Sequence, residues 1–127
     1  MKVIFISGPF RGRTPWLTEQ NIRRAEELSL EAWKLNEEGF EVVVLCTHTN
    51  SRFFDKTIDD RYFLDGYLEV LRRCDVMLLT PDWEASEGAR DEVKFCDKYE
   101  IPVVHSIDQL REWLQLGYPS CVHRAEP

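Results

Sequence analysis

The chain opens on a short apolar run, Lys2–Ser7, closed by Gly8-Pro9, and this combination predicts a first strand. Thr14-Pro15 then has the form of a helix N-cap followed by proline at the first helical position. Ile22, Ala25, Leu28, Ala32 and Leu35 recur at spacings of three, three, four and three, which marks one apolar face of a long helix, and Gly39 supplies its stop. Residues 40–46 are β-branched and nearly all apolar, the pattern of a strand buried on both faces. Residues 47–60 are polar and aperiodic, with Phe53-Phe54 embedded, and predict a long loop of the kind that often carries function. Residues 62–74 predict a helix with Phe63, Tyr67, Val70, Leu71 and Cys74 on its inner side. Residues 75–80 read as a third strand stopped by Pro81. Ser86 caps a helix running to about Tyr99, residues 101–105 form a fourth strand, and Ile107–Leu116 a closing helix. The tail from Gly117 has no period and is expected to fray.

Strands alternating with helices imply right-handed βαβ units and a mainly parallel sheet covered on both faces. The expected architecture is a flavodoxin-like three-layer α/β sandwich with a four- or five-stranded parallel sheet. Residues 1–116 form one domain and residues 117–127 a C-terminal tail. In such sheets ligands bind at the carboxyl ends of the strands. That rule selects residues 7–13, 47–55, 81–88 and 105–106.

Composition narrows the partners. Against 16 lysines and arginines stand 23 acidic residues, a net charge of −7, which argues against nucleic-acid polymers and anionic membrane surfaces. The longest apolar runs, Val42–Cys46 and Val76–Leu79, fall far short of the roughly 20 residues of a membrane helix. The four apolar residues of the N-terminus are too few for a signal-peptide core. Cysteines 46, 74, 96 and 121 contain no C-x-x-C pair and read as reduced thiols of a cytoplasmic protein, with neither a metal site nor a cofactor expected.

Within the selected segments, Ser7-Gly8-Pro9-Phe10-Arg11-Gly12-Arg13 combines two glycines, which let backbone amides approach a ligand, with two arginines that suit an anion. It is neither a G-x-G-x-x-G fingerprint nor a P-loop, and its plain alternative is a solvated turn. Ser86 would cap a helix whose free amides attract an anion, and Gly88 costs that first turn about 1 kcal/mol against alanine unless close approach is needed. Glu92 lies four residues after Gly88 and four before Cys96, on one stripe with both, beside Val93. Burial there would raise its pKa and the helix N-terminus would lower it, and the sequence leaves the sign open. Its plain alternative is a surface glutamate. Either Asp65 or Tyr67 is placed to reach the strand ends from the helix predicted over residues 62–74. His48 and Asn50 follow strand two, where polar ligand contacts belong, although a lone histidine is more often structural.

Together these loops resemble the nucleoside 2-deoxyribosyltransferase superfamily over about residues 2–105, nearest to its small uncharacterised members and its nucleotide N-glycosidase branch. Ile6-Ser7-Gly8-Pro9-Phe10-Arg11-Gly12 is similar to that branch's Gly-Ser-Ile-Arg-Gly loop, and Ser86-x-Gly88-x-x-x-Glu92 to its Ser-x-Gly-x-x-x-Glu. Leu68-Glu69-Val70-Leu71-Arg72-Arg73-Cys74-Asp75 resembles its helix ending in Cys-Asp before an apolar strand. The resemblance implies Glu92 as catalytic nucleophile, Arg11 and Ser86 at a 5′-phosphate, and Gly8 and Phe10 beside the sugar. Ser7 and Gly88 belong to the same motifs, and Asp82, just past strand three, would orient the sugar or the acid. It also implies a homodimer or higher homo-oligomer, each site completed by a partner chain. One position departs: the family's aspartate eight residues before Asp75 is Tyr67 here, a weak acid with a reference pKa near 10. Asp65 lies about 200° away around the helix and does not substitute for it without a local irregularity.

The expected activity is therefore hydrolysis or transfer at the N-glycosidic bond of a (deoxy)nucleoside 5′-monophosphate, with Glu92, Tyr67 and Asp65 as candidate catalytic residues. The alternative is a non-catalytic nucleotide sensor or sequestering protein, motivated by Tyr67. A phospho-accepting receiver domain, suggested by Asp82 after a strand, fails because the loop after strand one lacks an acidic pair and is basic.

Overall fold

The computed structural model describes residues 1–117. Four strands, β1 (Lys2–Ser7), β2 (Val42–Cys46), β3 (Val76–Leu79) and β4 (Val103–Val104), form one parallel sheet in the order β2-β1-β3-β4. The register sets Ile4 beside Val44 on one side and Val76 on the other. Five helices cover it: α1 (Pro15–Trp33), α2 (Thr47–Asn50), α3 (Asp60–Arg72), α4 (Glu87–Tyr99) and α5 (Ile107–Leu116). Three layers result, a flavodoxin-like α/β fold. One core joins Ile4, Ile6, Val44, Val76 and Leu78 to Ala25 and Ala32 of α1 and to Leu110 and Trp113 of α5. The other joins Phe5, Met77 and Leu79 to Leu71 of α3 and to Val93 and Cys96 of α4. Among the described residues no helix is long and apolar enough to cross a membrane.

The helix starts follow from side-chain caps. Thr14 Oγ1 accepts from the Leu17 amide at 3.1 Å with Pro15 behind it, and Asp59 Oδ1 accepts from the Arg61 amide at 3.0 Å. Ser86 Oγ accepts from the Ala89 amide at 3.1 Å, and Ser106 Oγ from the Gln109 amide at 3.1 Å. Each satisfies one of the amides a helix leaves open at its start. Helix α1 tightens into a 3-10 segment over Lys34–Glu38 and ends at Gly39, whose φ of 97° suits glycine.

Two expectations need correction. Residues 40–46 were expected to be buried on both faces. The strand they contain, β2, is the sheet edge, and Leu45 is 38% exposed. It also starts only at Val42, whose amide donates to Asn36 Oδ1 at 3.0 Å. The stretch 47–60, expected as loop throughout, begins with the single turn of α2, closed by Thr49 Oγ1 donating to the Cys46 carbonyl at 3.1 Å. Cys46 and Cys74 carry free thiols, and burial pushes the Cys74 thiol up to about 11, which leaves it protonated at neutral pH. Cys121, and the tail beyond Gly117, lie outside the described residues.

Candidate active site at the carboxyl ends of β1, β2 and β3

Ser7 is the last residue of β1 and is buried; its hydroxyl donates to Glu92 Oε1 at 2.6 Å. Glu92 lies in the second turn of α4, on the side that buries Ala89, Val93 and Cys96. Desolvation pushes its pKa up to about 7, against the hydrogen bond from Ser7 and the field of His48, which lower it; Asp91 adds a small push upward. The sign left open by the sequence is thus decided by burial. A carboxyl at about 7 is both a usable acid and a usable base or nucleophile at neutral pH.

The neighbouring loops lock the end of β1. A Cβ on Gly8 would sit 2.2 Å from Thr80 Oγ1, so only glycine lets the ends of β1 and β3 approach this closely. Thr80 donates its amide to the Ser7 carbonyl at 2.9 Å and its hydroxyl to Asp82 Oδ1 at 2.8 Å. Asp82 Oδ2 accepts from Arg24 Nη1 of α1 at 2.6 Å. From α2, the buried His48 places Nε2 at 3.1 Å from the Gly8 carbonyl and 3.0 Å from the Pro9 carbonyl. Two carbonyls accept there, so Nε2 carries the proton, and the buried Nδ1 has no partner among the described residues. Burial lowers the His48 pKa, opposed by those two hydrogen bonds and by the fields of Glu92 and Asp82. His48 is a neutral clasp on the β1 loop, and Phe10 packs edge-on against its ring at 5.8 Å.

Two further groups lie around this one. Tyr67 Oη donates to Ser51 Oγ at 2.6 Å and accepts from Asn50 Nδ2 at 3.1 Å, tying α3 to the segment after α2. Asp65 is exposed on the same helix. Arg11 forks onto Asp60, Nη1 to Oδ2 at 2.6 Å and Nη2 to Oδ1 at 2.6 Å, while Nη2 also donates to Asp55 Oδ1 at 2.5 Å. Gly12 gives its amide to Thr18 Oγ1 at 2.8 Å, and a Cβ there would lie 2.4 Å from the Leu17 Cβ. The two glycines of this loop are therefore accounted for by packing on Thr80 and on the start of α1. Gly88 differs: a Cβ on it meets nothing closer than Ser86 Oγ at 3.8 Å, which leaves open space beside the start of α4.

Residues 2–105, from β1 through β4, match the model of a domain of unknown function, DUF4406. The chain belongs to this family. No curated protein matches the sequence.

All three groups fall inside the matched part of this DUF4406 domain. Ser7, Gly8, Asp82 and Glu92 come together with His48 at the strand ends, Asn50 with Tyr67, and Arg11 with two carboxylates. Ser86 caps α4, nearly two turns before Glu92. Sequence reasoning missed Thr80 and Arg24, which fix Asp82, and Asp55 and Asp60, which hold Arg11. Thr80 had a signal, since it ends an apolar strand two residues before Asp82. The partners of Arg11 had none, because they lie 44 and 49 residues away among 23 acidic residues.

Proposed function

We propose that this DUF4406 domain binds a (deoxy)nucleoside 5′-monophosphate at the carboxyl ends of β1 and β3 and cleaves its N-glycosidic bond, with Glu92 as nucleophile. The observation that carries the reading is the Ser7–Glu92 pair, a carboxyl desolvated to a pKa of about 7 and oriented by a 2.6 Å hydrogen bond. The resemblance of the two loops to the nucleoside 2-deoxyribosyltransferase superfamily supports it. The Ser7 hydroxyl holds Oε1, which leaves Oε2 of the ionised carboxylate to attack C1′. The C1′–N bond breaks, its electron pair goes to the base, and the base takes up a proton. Water, or a second base, then cleaves the glycosyl ester and regenerates the Glu92 carboxylate. Asp82, fixed by Thr80 and Arg24, orients the sugar; Arg11 and Ser86 meet the phosphate. The expected setting is cytoplasmic, and the expected assembly a homodimer or higher homo-oligomer.

A second reading, a nucleotide sensor without catalysis, is favoured by Tyr67, which replaces a stronger acid and commits its hydroxyl to Ser51. Incubation with purified deoxynucleoside 5′-monophosphates and chromatography of the released base tests both. Base release abolished by Glu92→Gln supports the first reading, and release unchanged by that substitution sinks it. Tight calorimetric binding without base release, in wild type and in Tyr67→Asp alike, supports the second.

A further inference from the structure

Arg11 is the charged side chain of the β1 loop that the proposed function assigns to phosphate, and it is occupied. Its two terminal nitrogens make parallel bonds to the two oxygens of Asp60, the fork geometry with which a guanidinium takes a phosphate. Asp60 is the first residue of α3, so its carboxylate also sits at the favourable end of that helix dipole. Asp55 adds a second carboxylate on Nη2. Two negative charges on one positive leave the group at −1, which opposes an incoming anion. All three side chains reach solvent, with Arg11 50% and Asp60 42% exposed, so the contact is screened and exchangeable rather than a buried lock.

We infer that Asp60, seconded by Asp55, is an internal anion that fills the Arg11 fork and sets its selectivity. A phosphate monoester dianion, which brings two charges to the fork, displaces the carboxylates, while ligands of lower charge do not. This rests on the reading that Arg11 meets phosphate. Asp55 belongs to the segment between α2 and α3, which Arg52 also ties to Glu19 of α1. Displacement therefore reports on that segment as well.

The test is calorimetric titration of wild type, Asp55→Asn, Asp55→Asn/Asp60→Asn and Arg11→Gln with inorganic phosphate, the common deoxynucleoside 5′-monophosphates and the matching nucleosides. The expected result is that the double variant binds phosphate and the monophosphates about tenfold more tightly than wild type, and Asp55→Asn alone about threefold. Nucleoside affinity stays unchanged, and Arg11→Gln removes the preference for monophosphate over nucleoside. Asp55→Asn lies outside any helix and keeps the test open should the helix-start substitution unfold the chain. Unchanged or weaker monophosphate binding in the aspartate variants, with Arg11→Gln still weakening it, overturns the inference and leaves the nucleotide reading standing. Monophosphate affinity insensitive to Arg11→Gln overturns the inference and the phosphate assignment of Arg11 together. Absence of binding by every variant overturns the inference and the nucleotide reading together.

Discussion

Replacing Glu92 with glutamine should stabilise the protein, and by an amount that grows with pH. In water a glutamate ionises near 4.5; in the fold Glu92 does so at about 7. Between those values the native state holds a proton that the unfolded chain has released, so wild-type stability falls as pH rises through the window. Above it, the ionised carboxylate costs the fold about 3 kcal/mol, at about 1.4 kcal/mol per pKa unit. Glutamine keeps the shape, accepts the Ser7 hydrogen bond and never ionises. Urea denaturation of wild type and Glu92→Gln should give similar midpoints at pH 5 and a variant midpoint higher by about 1.5 M at pH 8.5, with m near 2 kcal/mol/M. A midpoint difference flat from pH 5 to 8.5 would refute the reasoning, since Glu92 would then ionise as it does in water and the strand ends would hold no poised carboxyl.

Three further outcomes follow from the same geometry. Ser7→Ala removes a hydrogen bond that lowers the Glu92 pKa, so the carboxyl should titrate about one pH unit higher, read from its carbon-13 NMR shift; an unmoved titration would mean the bond carries nothing. Gly8→Ala puts a methyl on the buried Thr80 and should cost about 1–3 kcal/mol in thermal unfolding, with partial recovery when Thr80→Ala is added; additive losses would mean the two do not collide. His48→Ala should cost about 2–4 kcal/mol, and His48→Gln less, because glutamine still offers a donor to the Gly8 and Pro9 carbonyls. The His48 pKa lies below its unfolded value, so its contribution is full above about pH 6.5 and is lost as pH falls toward the native pKa. Acid sensitivity retained in His48→Gln would assign that loss to another group.

The fold was readable because its punctuation is local. Thr14-Pro15, Gly39 and Ser86 each announce a helix boundary within a few residues, and the spacing of Ile22, Ala25, Ala32 and Leu35 declares which face is buried. The misreading of β2 has a different origin. Whether a strand of valines lies inside or at the edge depends on strand order, which is set by contacts between residues some 40 positions apart. The site divides in the same way. Glu92 was found from its spacing to Ser86 and Gly88 along one helix. Its pKa was not, because burial in the folded chain raises it, and Ser7 and His48, which oppose that rise, come from other segments.

That division has a physical counterpart in the molecule. The end of β1 and the two residues after it are held by three contacts: the Ser7 carbonyl by the Thr80 amide, Gly8 by contact with the Thr80 side chain, and the Gly8 and Pro9 carbonyls by His48. Ser7 cannot shift relative to Glu92 without breaking bonds to β3 or α2. The hydrogen bond that tunes the carboxyl is therefore fixed by the scaffold. Arg11, four residues further on, sits in an exposed network of exchangeable carboxylates. Chemistry that needs a fixed geometry and a set pKa belongs to the first half of the site. Discrimination among anions, which needs partners that can leave, belongs to the second. Substitutions at Ser7, Gly8 and His48 should then move pH dependence and stability together, whereas those at Asp55 and Asp60 should move affinity for anions and leave the Glu92 titration where it is.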